Sequence, residues 1–383
     1  MQQLGMDIDE LKESCQQGIK KAKEILQIIQ KYDKDKRKTE LLPLQGKDWA
    51  NWAEADKEIY RLEKIGDEET VDKYTEKQNE RKIESRRRQF KIVQNGLPEM
   101  MQLFIKTLLM EHPSIREYFV RSLKLGLDEL SREELPRLYS SYGEQMRKIH
   151  EAKTPEEKAI INKELDKLDQ KISSQSFGLE HLLREMGQIY SVVMELPESE
   201  RAEFKQLECL PQIAADLLLS GYPVEIMDGD VGSVPFVWVE AVLKELNKNL
   251  KKHEGKENLQ VFVLSAMGIQ SSGKSTLLNT MFGLQFAVSA GRCTKGVYLQ
   301  PVRLEQKLRE KYNIDYIFVV DTEGLKSQEL SSSSTRKHDN ELSTFVIGLS
   351  NLALIKLPGE NNTYLQEIFP ISVHAFLRIN EVD

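Results

Sequence analysis

The fold class of this chain follows from one segment, Val261-Phe-Val-Leu-Ser-Ala-Met-Gly268-Ile-Gln-Ser-Ser-Gly273-Lys274-Ser275. The apolar run from Leu259 to Leu264 predicts a buried strand, because it is rich in β-branched and aliphatic side chains and nearly free of polar ones. The turn after it has the spacing G-x-x-x-x-G-K-[ST], and Thr276 to Phe282 then places apolar residues at helical spacing. This order of strand, glycine-rich turn and helix is typical of the P-loop, the phosphate-binding loop of nucleoside triphosphatases.

The residue types of the turn suit a phosphate group. Glycine at both ends lets the backbone approach an anion without a Cβ in the way, and the N–H groups of the turn and of the following helix point towards it. The lysine is expected to reach the β- and γ-phosphates and the serine hydroxyl to ligate Mg²⁺. The alternative, a structural turn that carries Gly and Lys by chance, is disfavoured by the spacing. The predicted nucleotide-binding residues are Gly268, Ile269, Gln270, Ser271, Ser272, Gly273, Lys274, Ser275 and Thr276.

A second pattern follows the predicted strand that starts at Tyr316, namely Asp321-Thr-Glu-Gly324. In a D-x-x-G sequence of this kind, the aspartate holds Mg²⁺ through water and the glycine N–H meets the γ-phosphate. An ATPase strand would more often carry a second acid directly after the aspartate, and Thr322 stands there instead. The pattern therefore favours a GTPase and adds Asp321 and Gly324 to the predicted site.

Between the two patterns lies the predicted loop Gly291-Arg-Cys-Thr294-Lys-Gly296, ahead of a predicted strand over 297–304. Thr294 is the candidate switch residue, with its hydroxyl on Mg²⁺ and its backbone on the γ-phosphate; a purely structural threonine is the alternative. Residues 326–340, with four consecutive serines, have the composition of a mobile loop. A strand over 345–356 and a helix over 364–378 are predicted after it.

The first two thirds of the chain predict helices with narrow apolar stripes, such as Leu11, Cys15, Ile19, Ala22 and Leu26. The composition of Lys251 to Asn258 marks a polar linker. We therefore predict a helical bundle or stalk over residues 1–254 and the N-terminal part of a G domain over residues 255–383. The predicted fold class is a mostly α-helical N-terminal region followed by a partial α/β P-loop GTPase domain.

Composition narrows the class of protein. The net charge is −7 and charged residues make up 30% of the chain, which argues against a general nucleic-acid binder. The basic cluster Arg81–Arg88 is more readily explained as a solvated helix face than as an RNA or membrane contact. Three widely spaced cysteines fit a reducing compartment, and no apolar run reaches the ~18 residues needed to span a bilayer. A cytoplasmic protein is expected, with the nucleus as a second compartment.

One acidic pair could instead belong to a metal site. Asp228 and Asp230 are spaced as in a calcium loop, but the twelfth position would be Val239 rather than the expected glutamate. The segment Tyr222 to Pro235 is therefore predicted to be a structural turn that leads into a helix over residues 236–252.

Taken together, Gly268-Ile-Gln-Ser-Ser-Gly-Lys-Ser, Arg292-Cys-Thr-Lys-Gly and Asp321-Thr-Glu-Gly-Leu resemble the G domain of the interferon-inducible very large GTPases. That family lies within the dynamin-like group, near the guanylate-binding proteins and atlastins. The resemblance is specific over residues 259–383 and looser before them. The resemblance implies that GTP and Mg²⁺ are the ligands. It also implies that the chain associates with copies of itself through the G domain.

The chain departs from the related families where hydrolysis is concerned. Ser271 stands where guanylate-binding proteins carry an arginine finger, and Leu325 stands where Ras-type enzymes carry a glutamine. Ser271 and Thr294 are therefore the candidate catalytic residues, Ser271 acting with Gln270 as in dynamins; action of Arg292 across a dimer is the alternative.

A G domain reads the guanine ring with an N/T-K-x-D sequence. The similar sequence Asn380-Glu-Val-Asp383 lacks the lysine, so it does not fit this pattern. We therefore expect a fragment of a longer protein. A catalytically inert helical scaffold and a P-loop ATPase remain as alternative functions.

Overall fold

The computed structural model describes residues 8–62, 64–66, 70–132, 135–152, 154–269, 272–286, 295–325 and 333–357, together with Pro370, Ser372, Val373, Ala375 and Leu377. The chain divides into two compact units, Met1–Ile213 and Ala214–Asp383. The sequence boundary between residues 254 and 255 stays a prediction about domains. Within the described residues, no helix is both long enough and apolar enough to cross a membrane.

The first unit is helical, as predicted. One helix ends at Met110 and the next begins at Pro113, and Thr154 caps a later helix through a capping box with Glu157. The helices are α1 Ile8–Gln30, α2 Arg37–Leu41, α3 Lys47–Arg61, α4 Val71–Asn95, α5 Glu99–Met110, α6 Pro113–Arg132, α7 Leu135–Glu151, α8 Pro155–Gln175, α9 Leu179–Met194 and α10 Glu198–Arg201, with 3₁₀ turns at Pro43–Gln45 and Ala202–Cys209. Helix α11, Leu210–Leu219, crosses the division between the units.

The basic cluster on α4 is held by acidic and aromatic neighbours. Arg86 donates to Glu195 (2.9 Å), and its guanidinium lies 4.5 Å from the ring centre of Trp52, which stacks on Trp49. Arg88 forms an ion pair with Asp48 (2.5 Å). The partly exposed Arg88 fits the predicted solvated face, whereas Arg86 is mostly buried and has a packing role.

A buried carboxylate joins α9 to the 3₁₀ turn Pro43–Gln45. Glu185 accepts hydrogen bonds from the Leu44 N–H and the Gln45 side-chain amide, each at 2.9 Å. Burial raises the pKa of Glu185 to about 7, although these hydrogen bonds act in the opposite direction. One turn earlier, burial lowers the pKa of His181 to about 4, and the Nδ1 of this neutral ring accepts the Gly178 N–H.

The second unit is a mixed sheet with helices on both faces. Its elements are β1 Val224–Met227, α12 Phe236–Glu254, β2 Val261–Gly268, α13 Lys274–Phe282, β3 Val297–Arg303, α14 Gln306–Tyr312, β4 Tyr316–Thr322, α15 Ser333–Leu349 and β5 Leu352–Lys356. Within the described residues the strand order is β1-β3-β4-β2-β5. Strand β2 runs parallel to β4 and β5, whereas β3 is antiparallel to β4 and to β1. The carboxyl ends of β2, β4 and β5 therefore meet at one edge.

Alternation along the strands builds a core on each face of this sheet. Val320 faces a cluster that contains Leu250 of α12 and Val346 of α15, whereas Val319 faces Leu278 of α13. Strand β5 lies at the end of the strand order, and its Leu352 and Ile355 are 48% and 42% exposed.

The structure corrects several predicted elements. Strand β2 extends to Gly268 rather than ending at Leu264, and the lead-in segment contains β1, which was not predicted. The predicted strand over 345–356 is wrong in its first half, because α15 continues to Leu349 before β5 begins. The predicted loop over 326–340 is wrong from Ser333, where α15 begins, and residues 326–332 lie outside the described residues. Of the predicted helix over 364–378, only the five described residues can be compared, and these are helical.

Candidate functional site

The predicted site is built around the glycine loop, Gly268–Ser275, which joins β2 to α13. Gly268 has φ +146° and Gly273 has φ +80°. A Cβ on Gly268 would lie 2.2 Å from the carbonyl oxygen of Lys356, because β5 pairs with β2 at this point. Both backbone angle and close approach thus require glycine at residue 268. Gln270 and Ser271 lie outside the described residues.

The lysine of the loop is folded back over the backbone. Lys274 is 5% exposed, and its ammonium donates to the carbonyl oxygens of Gly268 and Ile269, both at 3.1 Å. A second lysine approaches from β5, where Lys356 Nζ donates to the Gly273 carbonyl at 3.3 Å. Two ammonium groups, one from the loop and one from β5, therefore contact the loop backbone.

The hydroxyl and the carboxylate predicted to serve Mg²⁺ are in contact. Ser275 Oγ donates to Asp321 Oδ2 at 2.6 Å, and Asp321 is fully buried near the end of β4. The parallel pairing of β2 with β4 brings these oxygens together, since Ser275 lies in the first turn of the helix after β2. Thr276, another predicted nucleotide-binding residue, follows Ser275 in the same turn of α13.

The Asp321–Gly324 segment is attached to the glycine loop. The Leu325 N–H, directly after Gly324, donates to the Gly268 carbonyl at 3.0 Å, and Leu325 forms an isolated parallel bridge with Ile269. The Thr322 hydroxyl donates to the Ala266 carbonyl at 2.8 Å. Gly324 therefore lies beside the loop, and its contact with the γ-phosphate stays a prediction.

Thr294 and Arg292 lie outside the described residues, which resume at Lys295. Gly296 forms two hydrogen bonds with Glu323: its N–H donates to the Glu323 carboxylate (3.0 Å), and its carbonyl accepts the Glu323 N–H (2.8 Å). The other Glu323 carboxylate oxygen contacts Nε2 of His338 on α15. The segment after Thr294 is therefore tied to the D-x-x-G segment.

The lead-in segment around Asp228 is a tight turn, as predicted. The Gly232 N–H donates to the Asp228 carbonyl (2.7 Å), and the Asp228 side chain accepts the Asp230 N–H (2.8 Å). This turn packs on Gly296, since a Cβ on Gly229 would lie 2.2 Å from the Gly296 nitrogen. Across the described residues, no three His, Cys, Asp or Glu side chains are grouped to hold a metal ion.

A network of charged side chains lies at the start of β4, the end away from the glycine loop. Glu254 of α12 accepts hydrogen bonds from Arg303 (3.2 Å), Arg309 (2.8 Å) and Tyr316 (2.7 Å). Burial raises the pKa of Glu254, but the three donors outweigh it and bring that pKa to about 2. Burial, together with the bond to Glu254, raises the pKa of Tyr316 to about 12. These bonds fasten α12 to the sheet that carries the site.

Comparison with known proteins decides the family. The model of the URGCP-like GTPase domain matches residues 56–383. The chain belongs to the URGCP-like GTPase domain family. It is 38% identical to mouse (Mus musculus) interferon-induced very large GTPase 1 and 39% identical to the human (Homo sapiens) protein, over 99% of this chain in both. It is 32% identical to the mouse up-regulator of cell proliferation, again over 99% of its length.

The URGCP-like chain spans only 15% of the two very large GTPases and 38% of the up-regulator of cell proliferation. No solved structure matches it. The match from residue 56 means that the family domain includes most of the helical unit as well as the sheet. The predicted resemblance to very large GTPases is confirmed.

Three residues of this URGCP-like domain contact the predicted site but were not singled out from the sequence: Glu323, His338 and Lys356. Glu323 stands inside the quoted D-x-x-G pattern, and Lys356 ends an apolar strand. His338 carried no signal, because it lies in a segment predicted to be a loop. Sequence order alone does not show that these residues meet.

Proposed function

We propose that this chain binds Mg²⁺-GTP at the glycine loop, acting as a P-loop, and hydrolyses the nucleotide. The observation that carries the proposal is the 2.6 Å contact between Ser275 Oγ and Asp321 Oδ2, beside the buried Lys274. The site lies at the carboxyl ends of parallel strands, where open α/β sheets bind their ligands. Membership of a GTPase domain family supports guanine as the base.

The donor set fits magnesium. Mg²⁺ prefers hard oxygen ligands and usually combines one or two protein oxygens with phosphate and water, and here a hydroxyl and a carboxylate are adjacent. Ser275 and Asp321 would hold the ion, with Thr294 as the third proposed protein group. Bound there, the ion would neutralise phosphate charge during phosphoryl transfer.

The remaining residues have roles that their positions support. The ammonium of Lys274 now donates to two loop carbonyls, and phosphate oxygens are stronger acceptors that would take its place. The Gly324 N–H is proposed to meet the γ-phosphate, and Ser271 with Gln270 to orient the attacking water. Self-association through the G domain and residence in the cytoplasm are proposals that rest on the family resemblance.

Calorimetry on the whole chain tests nucleotide binding. We expect binding of GTP and GDP with Mg²⁺, weaker binding of GTP in EDTA, and none for Lys274→Ala. Lys307→Ala is the matched control, because Lys307 is exposed on α14 and the substitution removes the same charge. Absence of GTP binding at about 100 μM, roughly −5.5 kcal/mol, would contradict the proposal and favour the inert scaffold. Equal affinity for ATP would favour the ATPase alternative.

Single-turnover hydrolysis of GTP tests the catalytic half of the proposal. Ser275→Ala should weaken Mg²⁺-dependent binding by about 10–100-fold, as expected for a hydrogen-bonding group that serves a charged ligand. Ser271→Ala should slow turnover while binding persists. An unchanged single-turnover rate in Ser271→Ala would exclude the proposed role of Ser271.

A further inference from the structure

Lys356 ends β5 beside the glycine loop, and its side chain reaches that loop. Strands β5 and β2 pair there, with Lys356 opposite Gly268. The Lys356 ammonium donates to the Gly273 carbonyl at 3.3 Å, and a Cβ added to Gly273 would lie 3.5 Å from the same nitrogen. The positive charge of Lys356 is therefore placed at the end of the glycine loop where α13 begins.

The bond between Lys356 and Gly273 adds little to the stability of the loop. The same carbonyl already accepts the Leu277 N–H at 3.0 Å, a bond within the first turn of α13. Lys356 is partly exposed to solvent, so water can replace its ammonium there. Removing the ammonium would leave no buried acceptor unpaired, and the cost of losing this bond is accordingly small. The position of Lys356 is thus not explained by the folding of the loop.

The electrostatic surroundings of Lys356 disfavour a cation when no anion is bound. The N-terminus of a helix carries partial positive charge, and the first turn of α13 contains no acidic residue. The helix begins instead with Lys274, whose ammonium is bonded to carbonyls of the same loop. Two lysines therefore add their charges to the positive end of one helix. These charges repel each other, and an anion bound at the loop would relieve the repulsion.

The buried carboxylate of the site lies on the other side of the loop. In the described sheet β2 lies between β4 and β5, so Asp321 of β4 and Lys356 of β5 flank the loop from opposite sides. Asp321 offsets part of the positive charge, but it is bonded to the Ser275 hydroxyl and belongs to the proposed metal ligands. Lys356 would therefore serve a phosphate group separately from the metal.

We propose that Lys356 is a second phosphate-binding cation of the glycine loop, which raises its affinity for polyphosphates and lowers the stability of the nucleotide-free chain. The inference rests on the proposed function and deepens it, because it names an affinity-determining residue outside the G-x-x-x-x-G-K-[ST] sequence. The bond to Gly273 keeps the ammonium beside the loop until a phosphate oxygen, which is a stronger acceptor, replaces the carbonyl.

Calorimetry on the whole chain with GDP and Mg²⁺ measures the contribution of Lys356 to affinity. Lys356→Met removes the charge but keeps an unbranched side chain, and it should weaken GDP binding about tenfold, as expected for a charge-assisted hydrogen bond. Lys356→Arg keeps the charge and should stay within about threefold of wild type. Lys307→Met is the matched control, because Lys307 is exposed on α14.

The dependence on metal and on salt gives a second readout. Because Lys356 and Asp321 flank opposite sides of the loop, Lys356→Met should lower GDP affinity by a similar factor with Mg²⁺ and with EDTA. Ser275→Ala should lose its effect in EDTA, since its hydroxyl serves the ion. The loss in Lys356→Met should shrink in about 500 mM salt, because ions screen a partly exposed charge. A loss that vanishes in EDTA would place Lys356 in the metal site and overturn the inference.

The stability of the nucleotide-free chain distinguishes a ligand-binding charge from a structural one. Unfolding is measured in urea by circular dichroism, because urea carries no charge and does not screen the lysines. Lys356→Met should unfold at a higher urea concentration than wild type, since it removes the repulsion while the Gly273 carbonyl keeps the Leu277 N–H. Lys356→Arg should unfold with wild type. A lysine that only fastens β5 to the loop would instead give Lys356→Met a lower midpoint.

The outcomes separate this inference from the function beneath it. Wild-type GDP affinity in Lys356→Met, or weaker affinity together with a lower urea midpoint, would overturn the inference while nucleotide binding stands. Inorganic pyrophosphate, which has phosphates but no base, covers the remaining case. If wild type binds pyrophosphate but neither GDP nor GTP, the proposed function fails, and the inference is decided by whether Lys356→Met weakens pyrophosphate binding. If wild type binds none of the three, both fail.

Discussion

At the scale of single residues, the glycine loop requires a residue without a side chain at position 268. Gly268 combines a positive φ with a carbonyl oxygen of the neighbouring strand at the place where a side chain would start. This requirement involves no charged or hydroxyl side chain, because it comes from the pairing of β2 with β5. The loop therefore depends on a strand that the sequence places much later.

Gly268→Ala should lower the free energy of unfolding by more than the about 1–3 kcal/mol expected for backbone strain alone, because the new Cβ also collides with Lys356. Gly283→Ala is the control, since Gly283 has φ +67° but no atom within 4 Å of an added Cβ. Urea unfolding followed by circular dichroism measures both. Equal losses in the two variants would contradict the close approach of β5.

At the scale of elements, α9 carries two buried ionisable groups whose contributions to stability change with pH in opposite directions. The pKa of Glu185 is raised to about 7 in the folded chain, so its contribution to stability is present below pH 4.5 and is lost as pH rises through 7. The pKa of His181 is lowered to about 4, so its contribution is present above pH 6.5 and is lost as pH falls through 4. Each effect is about 3 kcal/mol at most.

The two effects should offset each other between pH 4.5 and 6.5. Relative to wild type, Glu185→Gln should gain stability as pH rises across this range, and His181→Asn should lose it. Urea unfolding followed by the fluorescence of Trp49 and Trp52 gives the two difference curves. Curves parallel to that of wild type would show that neither group titrates as its burial predicts.

Much of the second unit was predictable because its signals are local. The spacing from Gly268 to Ser275, the apolar strand before Asp321 and the helix over 236–252 each need only a short window, and each element is present. The run Phe345-Val-Ile-Gly-Leu349 predicts a strand but is helical, since short apolar runs suit a buried strand and a buried helix alike. The i, i+4 burial of Leu342 and Val346 identifies the helix only with the structure in hand.

The contacts that could not be predicted are those between distant segments. Strand β1 has four residues, too short for a periodicity, and its place is fixed by pairing with β3. Glu323 lies between Asp321 and Gly324 in the D-x-x-G pattern, but its contacts with Gly296 and His338 depend on how β3, β4 and α15 converge. Sequence spacing predicts the chemistry of the site, whereas the contacts between its segments come from the folded sheet.

At the scale of the whole molecule, the contacts described for the glycine loop come from residues of the second unit, which begins at Ala214. That unit includes β1 and α12, which precede the boundary predicted from the sequence. Leu246 and Leu250 of α12 are buried in the same cluster as Val320 of β4, and Glu254 binds Arg303 and Arg309. The site therefore depends on residues from both sides of position 254.

Two shortened chains test this dependence. A chain that starts at Leu210, the first residue of α11, should fold cooperatively and bind GTP as tightly as the whole chain. A chain that starts at Gly255 exposes the apolar face that α12 covers, and it should be unfolded or aggregated. Circular dichroism and calorimetry measure fold and binding. A folded, GTP-binding chain from Gly255 would instead support the sequence boundary.

Among the strands that the structure describes, β5 lies at the end of the order, and this position has a consequence for the behaviour of the purified chain. An edge strand offers a row of backbone donors and acceptors to any other strand, and apolar side chains beside it favour such pairing. With Leu352 and Ile355 both partly exposed, self-recruitment of this edge should grow with concentration and limit solubility. Ile355→Lys places a charge on that edge and should delay the onset of light scattering in concentrated samples. Among the described strands, β5 thus pairs with β2 beside the glycine loop on one side and leaves its other side open to association.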